Sequence, residues 1–235
     1  IAECLMRALE PLSGKLKGSK LEYIARSVDF LRNRVAAYLS RAGSRPDLVE
    51  AVLSSSDGLG WHNPVDAAAR LKAIEKLAAS ATTFEPLATT FKRVSNIVSQ
   101  AGEDFSLDMR SGKAKKIFSD KLLVEESEMK LAEMVSAWES DFQDTLGAYL
   151  SIQNKVHLNQ MLKDLDLKLD EAYSEWMGKV ARLRPFVDRF FDEVLVMAKD
   201  EKLRRNRLAL LGRVGALFAP VADFSKIQGR PKDSS

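Results

Sequence analysis

Along most of the chain, apolar residues recur at intervals of three and four, the spacing that places side chains on one face of an α-helix. Residues 20–41 show this most simply. One face of the helix that they predict carries Leu21, Ile24, Ala25, Val28, Leu31, Val35 and Leu39. No run rich in Val or Ile alternates between apolar and polar residues as a half-buried strand does. The pattern therefore predicts an all-α fold.

Helix starts are marked by prolines and capping residues. Pro46 predicts the start of a short helix. Asn63 followed by Pro64 predicts another, because asparagine accepts hydrogen bonds from free backbone N–H groups and proline suits the first helical turn. Thr83 is expected to cap a further helix. The segment 102–120 lacks a clear period and is interpreted as a loop.

The second half of the chain begins with a long charged segment. From about residue 121 to residue 182, acids and bases recur four residues apart, as on exposed helix faces. One helix of about 60 residues would be unusually long, so we expect two antiparallel helices with a bend near 151–160. Pro185 predicts the start of the next helix. Residues 229–235 are polar and are expected to form a disordered tail.

The segment Asp200–Phe218 predicts an amphipathic helix with an arginine in its apolar stripe. Arg207 shares that stripe with Leu203, Leu210, Val214 and Leu217. An unpaired guanidinium in a protein interior is very costly, so we expect Arg207 to form a structural ion pair. Three acids are candidate partners: Asp188, Asp192 and Asp223. Direct contact between Arg207 and RNA is the alternative.

Two helices present basic residues away from their apolar stripes. On the last helix, Lys202, Arg205 and Arg213 are expected to share the outer face. On the helix that includes Phe91–Ile97, the outward polar residues are Lys92, Arg93 and Asn96. A basic helical face can follow phosphate groups, although a solvated charged surface explains it equally well. Three aromatic residues on apolar faces are expected in the core: Phe190, Phe191 and Phe218.

Composition narrows the class of protein. Hydrophobic residues make up 46% of the 235 residues and charged residues 29%, which is enough to bury a core. The net charge is only +3, so the clustering of charge matters more than its sum. The single cysteine, Cys4, fits a reducing compartment, and no apolar run is long enough to span a membrane. We expect a cytoplasmic protein, and the first residue, Ile1, suggests a part of a longer one.

No arrangement of residues indicates catalysis. The two histidines, His62 and His157, have no companion ligands at metal-binding spacing, and His62 is interpreted as a surface loop residue. No phosphate-binding loop or nucleophile–base pattern occurs. We therefore expect no catalytic residue, no metal site and no bound cofactor in this part of the protein.

The C-terminal segment carries a resemblance to a known family. The stretches "FFDEVLVM", "NRLALL" and "ADFSKI", between residues 182 and 227, closely resemble the end of the bacterial glycyl-tRNA synthetase beta subunit. Looser helical matches extend the resemblance back to about residue 28. It implies a helical connector at 1–80 and a DALR-type anticodon-binding helical bundle at 81–228. Between about 140 and 171 the chain is longer than the family pattern, and this extension is expected to lengthen the helical hairpin.

The resemblance also implies a role in protein biosynthesis. The synthetase is a glycine–tRNA ligase that uses ATP and magnesium, and its active site lies in the alpha subunit or in the alpha region of a fused chain. The implied partners are therefore tRNA(Gly) and the alpha subunit, with this region contacting the anticodon arm. The expected tRNA-binding residues are Lys92, Arg93, Asn96, Lys202, Arg204, Arg205 and Arg213. Two alternatives are the anticodon domain of another synthetase, such as the arginyl enzyme, and a helical module that only docks partner subunits.

Overall fold

A computed structural model of the chain is helical throughout the part that it describes. That part comprises residues 7–12, 19–41, 43–55, 61–101, 113–142, 144, 146 and 162–228. No strand occurs within these ranges, which confirms the all-α prediction. None of the helices in these ranges is both long enough and apolar enough to cross a membrane.

The described part of the chain contains a series of α-helices. In chain order they are α1 (Lys20–Arg41), α2 (Pro46–Leu53), α3 (Pro64–Ala78), α4 (Ala81–Gln100), α5 (Lys113–Ile117), α6 (Glu126–Phe142), α7 (Leu162–Ala181), α8 (Arg184–Glu193) and α9 (Glu201–Phe218). Three single 3-10 turns accompany them: Glu10–Leu12, Asp120–Leu122 and Phe224–Lys226.

Most helix starts agree with the sequence. Pro46 begins α2 and Pro64 begins α3, whose N-cap Asn63 accepts hydrogen bonds from the N–H groups of Val65 and Asp66 at 3.1 and 3.2 Å. Thr83 was the wrong cap for α4, because Ser80 takes that position with extended backbone geometry. Thr83 lies inside the first turn.

The segment 102–120 is not entirely a loop, so that prediction was wrong in part. Residues 113–117 form α5, whose Ala114 is buried and which packs against α9. Five residues are too few for a periodic pattern to be visible, and packing rather than local preference accounts for this turn of helix. Residues 102–112 lie outside the described part of the chain.

The long charged segment forms α6 and α7. Asp141 in α6 pairs with Lys179 in α7 at 2.9 Å, and the rings of Phe142 and Trp176 lie 4.9 Å apart. Residue numbers rise in one helix as they fall in the other, as in antiparallel neighbours. The bend predicted near 151–160 lies outside the described residues, as do most of the extension at 140–171 and the tail at 229–235.

The core contains an aromatic cluster where α4 meets the end of α9. Phe91 stacks on Phe218 at 4.6 Å, and Phe224 meets both rings edge-on at 5.5 and 5.2 Å. Phe190 is fully buried and Phe191 is half-buried against the same core. The three phenylalanines expected in the core therefore pack there, although Phe191 keeps part of its ring exposed.

A second buried cluster joins α3 to α7. Arg70 pairs with Asp66 at 2.7 Å, and Asp66 also accepts a hydrogen bond from the Tyr173 hydroxyl at 2.7 Å. Arg70 further donates to the Ser55 hydroxyl and to the carbonyl of Pro220. These contacts connect the region before residue 80 with the region after it. The division into a connector and a bundle at residue 80 stays a prediction.

Candidate nucleic-acid interface

Helix α9 begins as its sequence predicts. The Asp200 carboxylate accepts a hydrogen bond from the Leu203 N–H at 2.9 Å, which caps the helix, and Glu201 adds a second acid to the first turn. Negative charge here is favourable because the free N–H groups give the helix start a partial positive charge. The orientation of the basic residues of α9 is therefore fixed from the first turn.

Arg207 is buried, with 6% of its surface exposed, and it has an acid partner. That partner is Glu128 in the first turn of α6: Arg207 Nε donates to Glu128 Oε1 at 2.5 Å. Arg207 Nη1 also donates to the carbonyl oxygen of Leu195 at 2.9 Å. One guanidinium on α9 thus contacts both the start of α6 and the segment between α8 and α9.

The prediction that Arg207 pairs with Asp188, Asp192 or Asp223 was wrong. Asp188 accepts a hydrogen bond from the Thr90 hydroxyl at 2.6 Å and pairs with Arg184 at 3.0 Å. Asp223 caps the 3-10 turn that follows α9 by accepting from the Ser225 N–H at 2.9 Å, and Asp192 is exposed. Nothing in the local sequence distinguishes Glu128 as the partner, because it lies 79 residues away from Arg207.

Glu128 is held in its ionised form by more than Arg207. Its Oε2 accepts hydrogen bonds from the N–H groups of Val124 and Glu125, both at 2.8 Å. Burial opposes ionisation of the carboxyl group, but the hydrogen bond from Arg207, these two backbone bonds and the charge of Arg207 outweigh it. The pKa of Glu128 is therefore lowered from its ordinary value.

Arg213 does not face solvent, so its assignment to the outer face was wrong. Its side chain is 5% exposed, and it binds Glu139 through two nitrogen–oxygen contacts of 2.9 and 3.1 Å and Ser136 through a third of 2.9 Å. Its guanidinium also lies 4.5 Å from the ring centre of Phe118. Helices α5 and α6 cover this side of α9, whereas the prediction assumed a helix with one solvent-facing side.

The basic residues of α9 that keep solvent exposure lie in its first two turns. Lys202 and Arg205 are exposed, and Arg204 is half-buried. Because they are separated by three residues, the side chains of Lys202 and Arg205 lie on neighbouring positions of the helix surface. They form a small cationic group that the fold does not bury.

The candidate residues of α4 occupy different environments. Lys92 is half-buried, and its Nζ donates to the carbonyl of Ile227 at 3.3 Å. Arg93 is exposed, with its guanidinium 3.9 Å from the ring centre of Phe191, and Asn96 is exposed one turn further along. Arg93 and Asn96 can therefore reach a partner in solution, while Lys92 is mainly engaged with the C-terminal segment. RNA contact by any of them stays a prediction.

The sequence analysis identified the apolar face of α1 but assigned no role to its outer, exposed face. Phe30 and Tyr38 are 56% and 72% exposed, and Arg34 lies between them with its guanidinium 4.9 Å from the Phe30 ring centre. The sequence pattern that could have revealed this face is the recurrence of aromatic and basic residues at intervals of three and four. Beside this face is a groove of about 330 Å³, lined by Leu31, Arg34, Val35, Tyr38, Trp61, His62 and Pro64.

The described side chains suggest binding by charge and stacking. Among the residues that the structure describes, no group of three or more His, Cys, Asp or Glu side chains is placed to hold a metal ion. What the surface offers is exposed guanidinium and ammonium groups, some of them next to aromatic rings. Such groups bind anions and planar aromatic molecules.

Three similar proteins found by sequence comparison carry the same name. No family model matches the chain. It is 37% identical over 230 residues to the glycine–tRNA ligase beta subunit of Anaeromyxobacter dehalogenans (strain 2CP-C), covering 97% of this chain and 27% of that protein. It is 35% identical to the beta subunit of Myxococcus xanthus (strain DK1622) and 30% identical to that of Sulfurihydrogenibium sp. (strain YO3AOP1), in each case over 86% of this chain and 24% of the relative.

The chain thus spans about a quarter of the length of these relatives, and the matched part is C-terminal. The matches cover nearly all of the chain, including the connecting helices whose resemblance was looser. By sequence, the chain belongs to the glycine–tRNA ligase beta-subunit family, as a C-terminal part of it.

Proposed function

We propose that this chain is a tRNA-binding part of a glycine–tRNA ligase and contacts the anticodon arm of tRNA(Gly). The observation that carries the proposal is the similarity, over 97% of the chain, to a protein named as the beta subunit of that ligase. A ligase that joins glycine to tRNA must hold the tRNA.

The exposed cations support this role physically. Lys202 and Arg205 lie side by side and are exposed, so they can hold phosphate groups. Arg93 and Asn96 combine a guanidinium that already lies over the Phe191 ring with an exposed amide. Bases in an anticodon loop are unpaired, so they can stack on a guanidinium and present hydrogen-bonding edges. We assign phosphate contact to the first pair and base contact to the second.

In this proposal, the joining of glycine to tRNA is catalysed by another part of the enzyme. The family resemblance implies that glycine is activated with ATP and Mg²⁺ in the alpha subunit, or in the alpha region of a fused chain. No residue of this chain is assigned to that step. The chain's partners are then tRNA(Gly) and the alpha subunit, and it supports ligation by positioning the tRNA.

One observation favours a second candidate, a subunit-docking module. Leu195 and Met197 follow α8 and are 71% and 64% exposed, although Val194 and Val196 beside them are buried. The hydrogen bond from Arg207 fixes the backbone carbonyl of Leu195, so the exposed side chains are presented by an anchored segment. Large exposed apolar groups are typical of protein contacts. Salt dependence separates the two functions, because apolar docking does not weaken steeply with salt as phosphate binding does.

The test is a filter-binding titration of tRNA(Gly) and a non-cognate tRNA at several salt concentrations. Replacing both Lys202 and Arg205 by Glu should weaken binding of both tRNAs. It should also reduce the slope of log affinity against log salt by about 0.7–0.9 for each phosphate group that the variant no longer binds. The matched control replaces Lys76 and Lys130, exposed cations on α3 and α6, by Glu, which changes the net charge equally.

Replacing Arg93 and Asn96 by Ala should instead reduce the preference for tRNA(Gly), because base contacts carry the sequence information and phosphate contacts do not. Equal reductions of affinity in the α9 variant and the control would mean that only overall charge matters. Affinity that does not change with salt in the unaltered protein would contradict the proposal and favour subunit docking.

A further inference from the structure

We propose that the outer face of α1 is a second RNA-binding surface, which holds unpaired nucleotides between aromatic rings and arginines. This face lies outside every residue assigned above to tRNA contact. It therefore goes beyond the proposed function and can fail independently of it.

The face is defined by a row of rings and cations. Its members follow one another at intervals of three and four: Lys20, Tyr23, Arg26, Phe30, Arg34, Tyr38 and Arg41. At roughly 100° per residue they fall within an arc of about 120°, and they extend along about 33 Å of helix. The two acids of α1, Glu22 and Asp29, fall outside this arc. Within the row, Arg26 pairs with Glu22 at 2.9 Å, so its positive charge lies mainly at Lys20, Arg34 and Arg41.

Two of the three rings of this row are exposed, and the third, Tyr23, is half-buried. Phe30 and Tyr38 keep more than half of their surface in water, and the adjoining side of α1 packs through Leu31, Val35 and Leu39. Large exposed apolar groups on one face indicate a binding surface. Phe30 and Tyr38 lie about 12 Å apart along the helix, and each exposed ring can stack against a planar group.

The cations of the row are placed to act with the rings. Arg34 lies over the Phe30 ring, and among the described residues no carboxylate is within ion-pair distance of it. Arg41 is exposed in the last turn. A guanidinium held flat on a ring can stack a base on its outer surface or pair with a phosphate. The row thus provides both contacts that a single strand needs.

A groove beside the row adds a place for one planar group. It runs between α1 and the start of α3, where the Trp61 and His62 rings meet edge to face at 4.0 Å. Its volume of about 330 Å³ is at the small end of the range for ligand pockets. Apolar and aromatic walls with Arg34 and Tyr38 at the edge suit an unpaired nucleobase whose phosphate remains outside.

Charge and geometry favour RNA over a protein as the occupant. A positively charged track with interleaved rings is the arrangement by which proteins hold single-stranded nucleic acid without strict sequence preference. An apolar protein helix would be matched by a continuous apolar stripe, whereas each ring here is separated from the next by a cation. The occupant that satisfies both features is a strand with planar bases and a negative backbone.

The experiment measures binding of a labelled single-stranded oligouridine, about 15 nucleotides long, to the full chain by fluorescence anisotropy. Replacing Phe30 and Tyr38 by Ala should lower affinity on the order of tenfold for each ring removed, with the salt slope unchanged. Replacing Arg34 and Arg41 by Glu should lower affinity and also reduce the slope. Tyr38→Phe should retain affinity, because the ring remains.

Matched controls separate this face from general effects. The Lys76 and Lys130 pair replaced by Glu controls for charge, and the exposed Leu122 and Met129 replaced by Ala control for removal of apolar surface. Circular dichroism melts confirm that each variant is folded.

The outcomes distinguish this inference from the proposed function. Unaltered oligouridine binding in the folded α1 variants, or no binding by the unaltered chain, overturns the second surface whatever tRNA does. Loss of tRNA binding in the α9 variant, with the α1 variants unaffected, leaves the proposed function standing alone. If the α1 variants lose association with the alpha subunit but keep RNA binding, the face is a protein contact and the inference is wrong.

Discussion

Helices α9 and α1 are both basic and amphipathic in sequence, yet the fold buries two arginines of α9 and none of α1. In α9, Arg207 and Arg213 are buried and paired with Glu128 and Glu139. In α1, Arg34 remains exposed over a ring. The difference follows from the number of neighbouring helices: α9 packs against α4, α5, α6 and α7, whereas α1 packs mainly against α2.

This contrast shows that the density of positive charge in a sequence does not measure the charge available for binding. A helix at the centre of a bundle has no free side, so each arginine on it needs an internal acid. A helix at the edge keeps a full face in water. Helices α9 and α1 have five basic residues each, yet two of those in α9 and three of those in α1 are exposed.

The largest expected effect comes from breaking the Arg207–Glu128 pair. Arg207→Leu should lower the free energy of unfolding by about 3–5 kcal/mol, because it leaves Glu128 buried without its partner. It also removes the hydrogen bond to the Leu195 carbonyl. Chemical denaturation followed by circular dichroism measures the change. A decrease smaller than about 1 kcal/mol would mean that Glu128 finds another partner and that the pair is not central to the fold.

The pH dependence sharpens this prediction. In the unaltered chain the pKa of Glu128 is lowered, so its contribution to stability is present above the ordinary glutamate pKa of 4.5 and is lost as the pH falls through the lowered value. Without Arg207, burial favours the neutral carboxyl group. The difference in stability between the two proteins should therefore narrow as the pH falls towards about 4.5 and continue to narrow below it, which repeated melts across that range would reveal.

A smaller effect is expected at Arg213. Arg213→Ala should destabilise by about 1–3 kcal/mol, because Glu139 then keeps only Lys115, at 3.1 Å, as a cationic partner. Arg213→Lys should recover part of that stability, since lysine keeps the charge but cannot form the two parallel contacts. Thermal melts give the order of the three proteins. If Arg213→Ala melted with the unaltered chain, the side chain would be free in solution and the contrast between α9 and α1 would weaken.

The smallest effect is expected at the exposed arginines. Arg34→Ala and Arg205→Ala should each change stability by no more than about 0.5 kcal/mol, because surface side chains contribute little to folding. The same denaturation series measures them beside Arg207→Leu and Arg213→Ala. A destabilisation at Arg34 that matched the one at Arg213 would show that the outer face of α1 serves the fold, and it would remove the main reason to assign RNA to that face.

Sequence reasoning recovered features that depend on near neighbours in the chain. The cap at Asn63, the extent of α1 and the burial of Arg207 all follow from residues within a few positions. Helical hydrogen bonds join residues four apart, so periodicity and capping carry this information. The short stretches near the C-terminus that resemble the family were likewise recognisable from the sequence alone.

What only the tertiary structure decided involves residues far apart in sequence. Glu128 lies 79 residues from Arg207, and Glu139 lies 74 from Arg213; several nearer acids were chemically equivalent candidates. Whether a helix face meets water depends on which helices pack beside it, as α5 and α6 do over Arg213 and as none does over Arg34 among the described residues. Local pattern determines that a helix forms and which side is apolar. Packing of distant segments determines which of its charges remain exposed and able to bind.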